Sequence, residues 1–144
     1  MFEVENCVNF IMNKISKRLA NKFNEALISE GSTRVQWLVM YHLYSYGEMN
    51  QCELSDKMNS RPSTIVRLID RMEKEEIVQR TKSSKDRRVT HLSLTQKGEK
   101  RINDLMPRAE EMSIKISEGI TDEEFQVFHK VLNKMTENAD KINI

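Results

Sequence analysis

Between Ser60 and Gly98 the chain gathers the side chains best suited to binding another molecule. Arg61, Ser63, Thr64, Arg67 and Arg71 share one helical stretch, and Lys85, Asp86, Arg87 and Arg88 cluster further on. A guanidinium offers a planar fork of donors that matches the O6/N7 edge of guanine, and grouped cations match phosphates. The spacing predicts a helix that opens at Ser60-Arg61-Pro62-Ser63 and ends near Glu75. Ile65, Leu68, Ile69 and Met72 fall at i, i+3, i+4 and i+7 and so face a core. Ser63, Arg67 and Arg71 then stand on the opposite ridge, with Asp70 and Lys74 beside them. A short strand at Ile77 and Val78, a basic tip over residues 82–88 and a second strand up to Leu94 complete the segment. A polar-faced helix followed by a basic-tipped hairpin suits a major groove and its neighbouring minor groove. That combination points to sequence-specific binding of double-stranded DNA.

Charge supports the same expectation. From Arg61 to Arg101 there are twelve basic and six acidic residues, a net of +6, in a chain whose total is +1, so the remainder carries −5. A basic module in an acidic body is the footprint of a protein that meets phosphates on one face.

The elements that must position these residues are mostly helices. Four Gly and two Pro in 144 residues leave few breakers. A first helix is expected over about residues 5 to 29, where Val8, Ile11, Ile15, Leu19, Phe23 and Leu27 form one apolar stripe that has to bury against something, another subunit being one candidate. Gly31-Ser32-Thr33 breaks it. The next helix, Thr33 to Tyr46, is apolar over so wide an arc (Val35, Trp37, Leu38, Met40, Tyr41, Leu43, Tyr44) that it reads as the central, buried one. After Gly47, Asn50 and Glu53 have the spacing of a capping box, and a short helix to Met58 leads through Asn59-Ser60-Arg61-Pro62 into the arginine-bearing helix. Two short helices joined in this way make a helix-turn-helix. Thr95 is placed to cap a helix with a stripe from Ile102 to Ile116, with a kink expected at Pro107 and a stop at Gly119. Thr121 and Glu124 form a second capping box, with Ile120 and Phe125 as its hydrophobic staple, before a last helix.

In the order and spacing of these pieces the chain resembles the MarR family of winged helix-turn-helix regulators. The resemblance is carried by the run from Ser63 to Glu73, by Asp86-Arg87-Arg88, and by Leu94-Thr95-Gln96-Lys97-Gly98. It implies a mainly α fold with a small β-wing, a single domain over residues 1–144. A DNA-binding lobe would span 33–98, with dimerisation helices in 1–30 and 99–144. It also implies a homodimer on a palindromic operator, usually a repressor released by a small molecule or an oxidant. Carried over by position, Arg67 would read base edges, Arg88 would enter the minor groove, and Asp86 would hold the wing. One departure is Glu76-Ile77 where the family commonly has Gly-Leu. Glu is unfavourable in a left-handed cap, so the helix is expected to end differently here. Ligands in this family usually lodge between the dimer-side helices and the DNA-binding lobe. Trp37, Tyr41 and His42 are therefore candidates for a small aromatic or phenolic effector, the other reading being simple core aromatics.

Competing functions find less support. His42, His91 and His129 fall in different elements without a motif-like partner, and there is no phosphate loop or HExxH pattern, which argues against an enzyme. No set of three or four ligands at zinc spacing is evident, and no cofactor is implied. A cysteine redox sensor of the same fold is the main alternative, although acidic neighbours of Cys7 and Cys52 oppose a thiolate. A winged helix used only for protein contacts would not need the arginine ridge and tip. Met1-Phe2-Glu3-Val4-Glu5 lacks the order of a signal peptide, and no apolar run suits a membrane span, so the expected location is cytoplasmic.

Overall fold

The computed structural model describes residues 3–142. Residues 1, 2, 143 and 144, to which the expected dimerisation segments extend, lie outside the described residues. After a short 3-10 turn at Val4–Asn6 come α1 (Val8–Ile28), α2 (Arg34–Tyr46), β1 (Met49–Asn50), α3 (Gln51–Lys57) and α4 (Pro62–Lys74). β2 (Val78–Lys82), β3 (Thr90–Leu94), α5 (Gln96–Ser117) and α6 (Asp122–Asp140) follow. The fold is mainly α with a small antiparallel sheet in the order β1-β3-β2. β1 is a two-residue strand that escapes sequence reading. It joins by pairing Met49 with Leu92 and Asn50 with His91.

The core lies where α2, α3, α4 and the sheet converge. Leu54, Ile65, Ile69, Met72, Val78 and Leu92 are all essentially inaccessible, so the i, i+3, i+4, i+7 stripe of α4 is buried as its spacing predicts. Burying each such side chain stabilises the fold by roughly 1.5–3 kcal/mol. Both expected capping boxes form. Asn50 Oδ1 accepts from the Glu53 amide at 2.9 Å and Glu53 Oε2 from the Asn50 amide at 2.8 Å. Thr121 and Glu124 do the same at 3.2 and 2.8 Å.

Two expectations are corrected. Helix α2 is less enclosed than its wide apolar arc suggests: Val39, Met40 and Leu43 are buried, but Val35, Tyr44 and Tyr46 are exposed. The exposed apolar residues lie in the first and last turns of the helix, while Trp37, Leu38 and Tyr41 are half-buried. Helix α4 does end in a left-handed residue, with Glu76 at φ 59°. The Glu76 amide donates to the Glu73 carbonyl at 3.0 Å and the Ile77 amide to that of Met72 at 2.9 Å, which satisfies two orphan carbonyls of the helix end. Those bonds and the burial of Ile77 offset a left-handed strain of about 1–2 kcal/mol. Helix α5 runs from Gln96 to Ser117 with Pro107 inside it, over the stretch that its apolar stripe predicts.

The described residues up to Met112 form one compact unit and those from Ser113 onward a second. In the first, the outer stripe of α1 is exposed at Val8, Ile11, Ile15 and Leu19. In the second, α6 has no buried residue and exposes Val127, Phe128, Val131 and Met135.

Candidate nucleic-acid interface

Helix α4 starts with Pro62 in its first turn, where a missing N–H costs nothing, and Arg61 as the extended residue before it. Its approach is set by the turn after α3. Asn59 adopts φ 46°, and the Ser60 amide closes on the Ser55 carbonyl at 3.0 Å. Asn tolerates this left-handed conformation better than most residues. With the core stripe buried, Ser63, Thr64, Arg67 and Arg71 of the helix are exposed, as is Arg61 just before it. Ser63, Thr64, Arg67 and Arg71 line one open groove together with Val35, Met58 and Ser60. The structure therefore brings four of the helix candidates to one groove, and Arg61 is not among its lining residues.

The wing is built by five antiparallel pairs between β2 and β3, from Val78 with Leu94 to Lys82 with Thr90. It runs further along the chain than the Ile77-Val78 strand expected from sequence, because pairing with β3 carries it to Lys82. The tip is held locally. Asp86 Oδ1 accepts from the Arg88 amide at 2.9 Å, and the Val89 amide donates to the Asp86 carbonyl at 3.0 Å. Ser83 Oγ accepts from the Lys85 amide at 3.2 Å. These bonds leave the Lys85, Asp86, Arg87 and Arg88 side chains exposed. At the root of the wing, Thr95 Oγ1 donates to the Glu76 carbonyl at 2.5 Å and accepts from the Gly98 amide at 3.0 Å. One hydroxyl thus joins the end of α4 to the start of α5.

A further arginine is engaged where sequence reading assigns it no role. Arg80, on β2, donates to Glu73 Oε2 at 2.5 Å, Asp70 Oδ1 at 2.6 Å and Gln51 Oε1 at 3.2 Å. Burial alone works to lower its pKa, but hydrogen bonds to Asp70 and Glu73 and their charges outweigh that and hold it above the ordinary value. The signal in the sequence is slight: a cation at the third position of the strand after α4.

The effector candidates also come together. Trp37 packs edge-on to Phe23 and stacks on Tyr41, each at 5.1 Å, and His42 lies between Tyr41 and Tyr46, each at 5.9 Å. Lys57 Nζ sits 3.9 Å above the Tyr46 ring. Trp37 Nε1 and His42 Nδ1 are buried without a hydrogen-bond partner. Burial, and secondarily the charge of Lys57, lowers the His42 pKa from 6.5. Cys7 is a half-buried free thiol and Cys52 an exposed one. Among the described residues no three His, Cys, Asp or Glu side chains form a metal-binding group, and no helix is long and apolar enough to cross a membrane.

Helix-turn-helix, outward arginine ridge and basic hairpin on one small sheet define a winged helix-turn-helix protein. The model of the MarR family matches residues 32–90. The uncharacterized HTH-type transcriptional regulator YsmB of Bacillus subtilis is 36% identical over 124 residues, 86% of this chain and 85% of that protein. Among solved structures, Bordetella bronchiseptica BpsR, whose DNA binding is regulated by 6-hydroxynicotinic acid, superposes with a TM-score of 0.84. It is 18% identical and covers 94% of this chain and 97% of its own. A mutant MarR from E. coli complexed with operator DNA has a TM-score of 0.81 at 17% identity, covering 89% and 92%. This chain belongs to the MarR family of DNA-binding transcriptional regulators, not to a family of enzymes.

Proposed function

We propose that the protein is a cytoplasmic repressor that binds a palindromic operator as a homodimer and leaves it on binding a small aromatic or phenolic effector. The observation that carries this reading is the shared exposure of the α4 ridge and the wing tip, both braced by the same sheet and core. Arg67 reads base edges in the major groove, with Arg61, Ser63, Thr64 and Arg71 on base edges or phosphates around it. Arg88 enters the minor groove, Lys85 and Arg87 meet phosphates, and Asp86 keeps the tip folded. The lobe 33–98 makes these contacts. The exposed apolar stripes of α1 and α6, within 1–30 and 99–144, pair with a second copy. The effector site uses Trp37, Tyr41 and His42, whose stacked rings and unpartnered ring nitrogens suit a flat molecule with polar groups. The 6-hydroxynicotinic acid that regulates BpsR is a hydroxylated aromatic acid, which supports that chemical class.

The test is binding to a duplex that the protein selects from random sequence, beside a scrambled duplex. The selected site should be palindromic and take two chains. Arg67→Ala should cost about 1–3 kcal/mol per half-site on the selected duplex and much less on the scrambled one. Arg88→Ala should flatten the salt dependence by about 0.9 in log–log slope per phosphate released. Equal losses on both duplexes would reduce Arg67 to a phosphate contact and remove the basis for operator reading.

A further inference from the structure

We propose that Arg80 is a positioning residue for DNA binding, which sets the wing against the recognition helix and masks the carboxylates that helix carries. This role presupposes the DNA interface proposed above. The Arg80 side chain is 23% exposed and its three partners come from two helices: Asp70 and Glu73 from α4, and Gln51 from the first turn of α3. A single planar group therefore joins the first strand of the wing to both helices of the helix-turn-helix. A lysine at the same place, a point charge without the planar fork, cannot reproduce the three directed bonds.

Position along the wing gives Arg80 its leverage. It is opposite Leu92 in the register and two residues before Lys82, where β2 ends and the tip begins. Any rotation of the strand about this point is carried outward to Arg87 and Arg88. Asp70 and Glu73 sit on the same helix as Arg67 and Arg71 and are themselves 51% and 42% exposed. Left alone, both carboxylates would repel phosphates close to the arginine ridge. Paired with Arg80, the three groups together carry one negative charge instead of two. Partly exposed ion pairs contribute little to folding, so the main effect of Arg80 falls on the geometry and charge of the DNA-facing surface.

A double-mutant cycle on the selected and scrambled duplexes separates positioning from mere structure. It compares the wild type, Arg80→Met, Arg88→Ala and the double variant, with thermal unfolding of each. If Arg80 places the wing, Arg80→Met lowers affinity on the selected duplex more than on the scrambled one. It should also cost roughly threefold less, or better, once Arg88 is already gone. Losses that simply multiply, in variants that remain folded, would overturn the proposal while leaving the DNA interface standing. A wild type indifferent to Arg88→Ala would refute the interface itself and the proposal with it. Should Arg80→Met fail to fold, Arg80→Lys takes its place in the cycle, keeping the charge but not the fork. The expected result is again reduced discrimination between the duplexes, and wild-type discrimination in the lysine variant would refute the positioning role.

Discussion

Gly98→Ala tests how closely the start of α5 must approach the root of the wing. A Cβ added at Gly98 would lie 2.1 Å from the Ile77 carbonyl oxygen, 3.1 Å from its carbon and 3.2 Å from Leu94 Cδ2. Ordinary carbon–oxygen approaches stop at roughly 3.3–3.6 Å, so backbone must move by about 1 Å. The Ile77 carbonyl has little freedom to do so. It accepts from the Thr95 amide at 3.1 Å, while Thr95 also holds the Gly98 amide. Alanine gains about 1 kcal/mol of helix propensity over glycine. Against it stand about 1–3 kcal/mol of overpacking and about 0.5–1.5 kcal/mol for each hydrogen bond lost. The net expectation is a destabilisation of about 1–3 kcal/mol, which in a chain of this length lowers Tm by roughly 3–12 °C. Because Ile77 leads directly into β2, affinity for the selected duplex should fall more than affinity for scrambled DNA. Urea and thermal unfolding followed by circular dichroism, with binding on both duplexes, would measure these effects. An unchanged or raised Tm would show that propensity outweighs the clash and that the close approach does not constrain the junction.

Two further outcomes are expected from the α2 aromatics. Burial and Lys57 hold the His42 pKa below its ordinary 6.5, so the neutral ring contributes stability that is fully present above about pH 6.5 and is lost as pH falls through the lower folded value. His42→Gln should therefore make Tm less sensitive to acidification between about pH 7.5 and 5, and an unaltered pH dependence would assign that sensitivity elsewhere. Phenolic and hydroxylated aromatic acids should change the fluorescence of Trp37, the only tryptophan, and weaken binding to the selected duplex. A panel that moved neither signal would remove the effector from the proposed mechanism.

What this sequence determines by itself is what repeats within a single element. Ile65, Leu68, Ile69 and Met72 recur at the helical period, so the burial of one face of α4 and the exposure of Arg67 and Arg71 on the other are legible without coordinates. The same is true of the capping boxes at Asn50 and Thr121, where both partners lie three residues apart. The motifs around Asp86-Arg87-Arg88 and Leu94-Thr95 are readable as family features, while the bonds that give them meaning are not. Thr95 works by reaching Glu76, and Gly98 by clearing Ile77. Only the tertiary structure decides such matters, since each depends on two segments distant in sequence. Met49 becomes a strand because Leu92 lies beside it. Glu76 takes a left-handed conformation, against its own preference, because the helix end and buried Ile77 outweigh the strain. α2 leaves Val35 and Tyr44 of its apolar arc exposed because its neighbours do not cover its first and last turns. Arg80 looks like one more basic residue until folding brings Gln51, Asp70 and Glu73 around it, because local periodicity carries no information about which distant side chains will share a site.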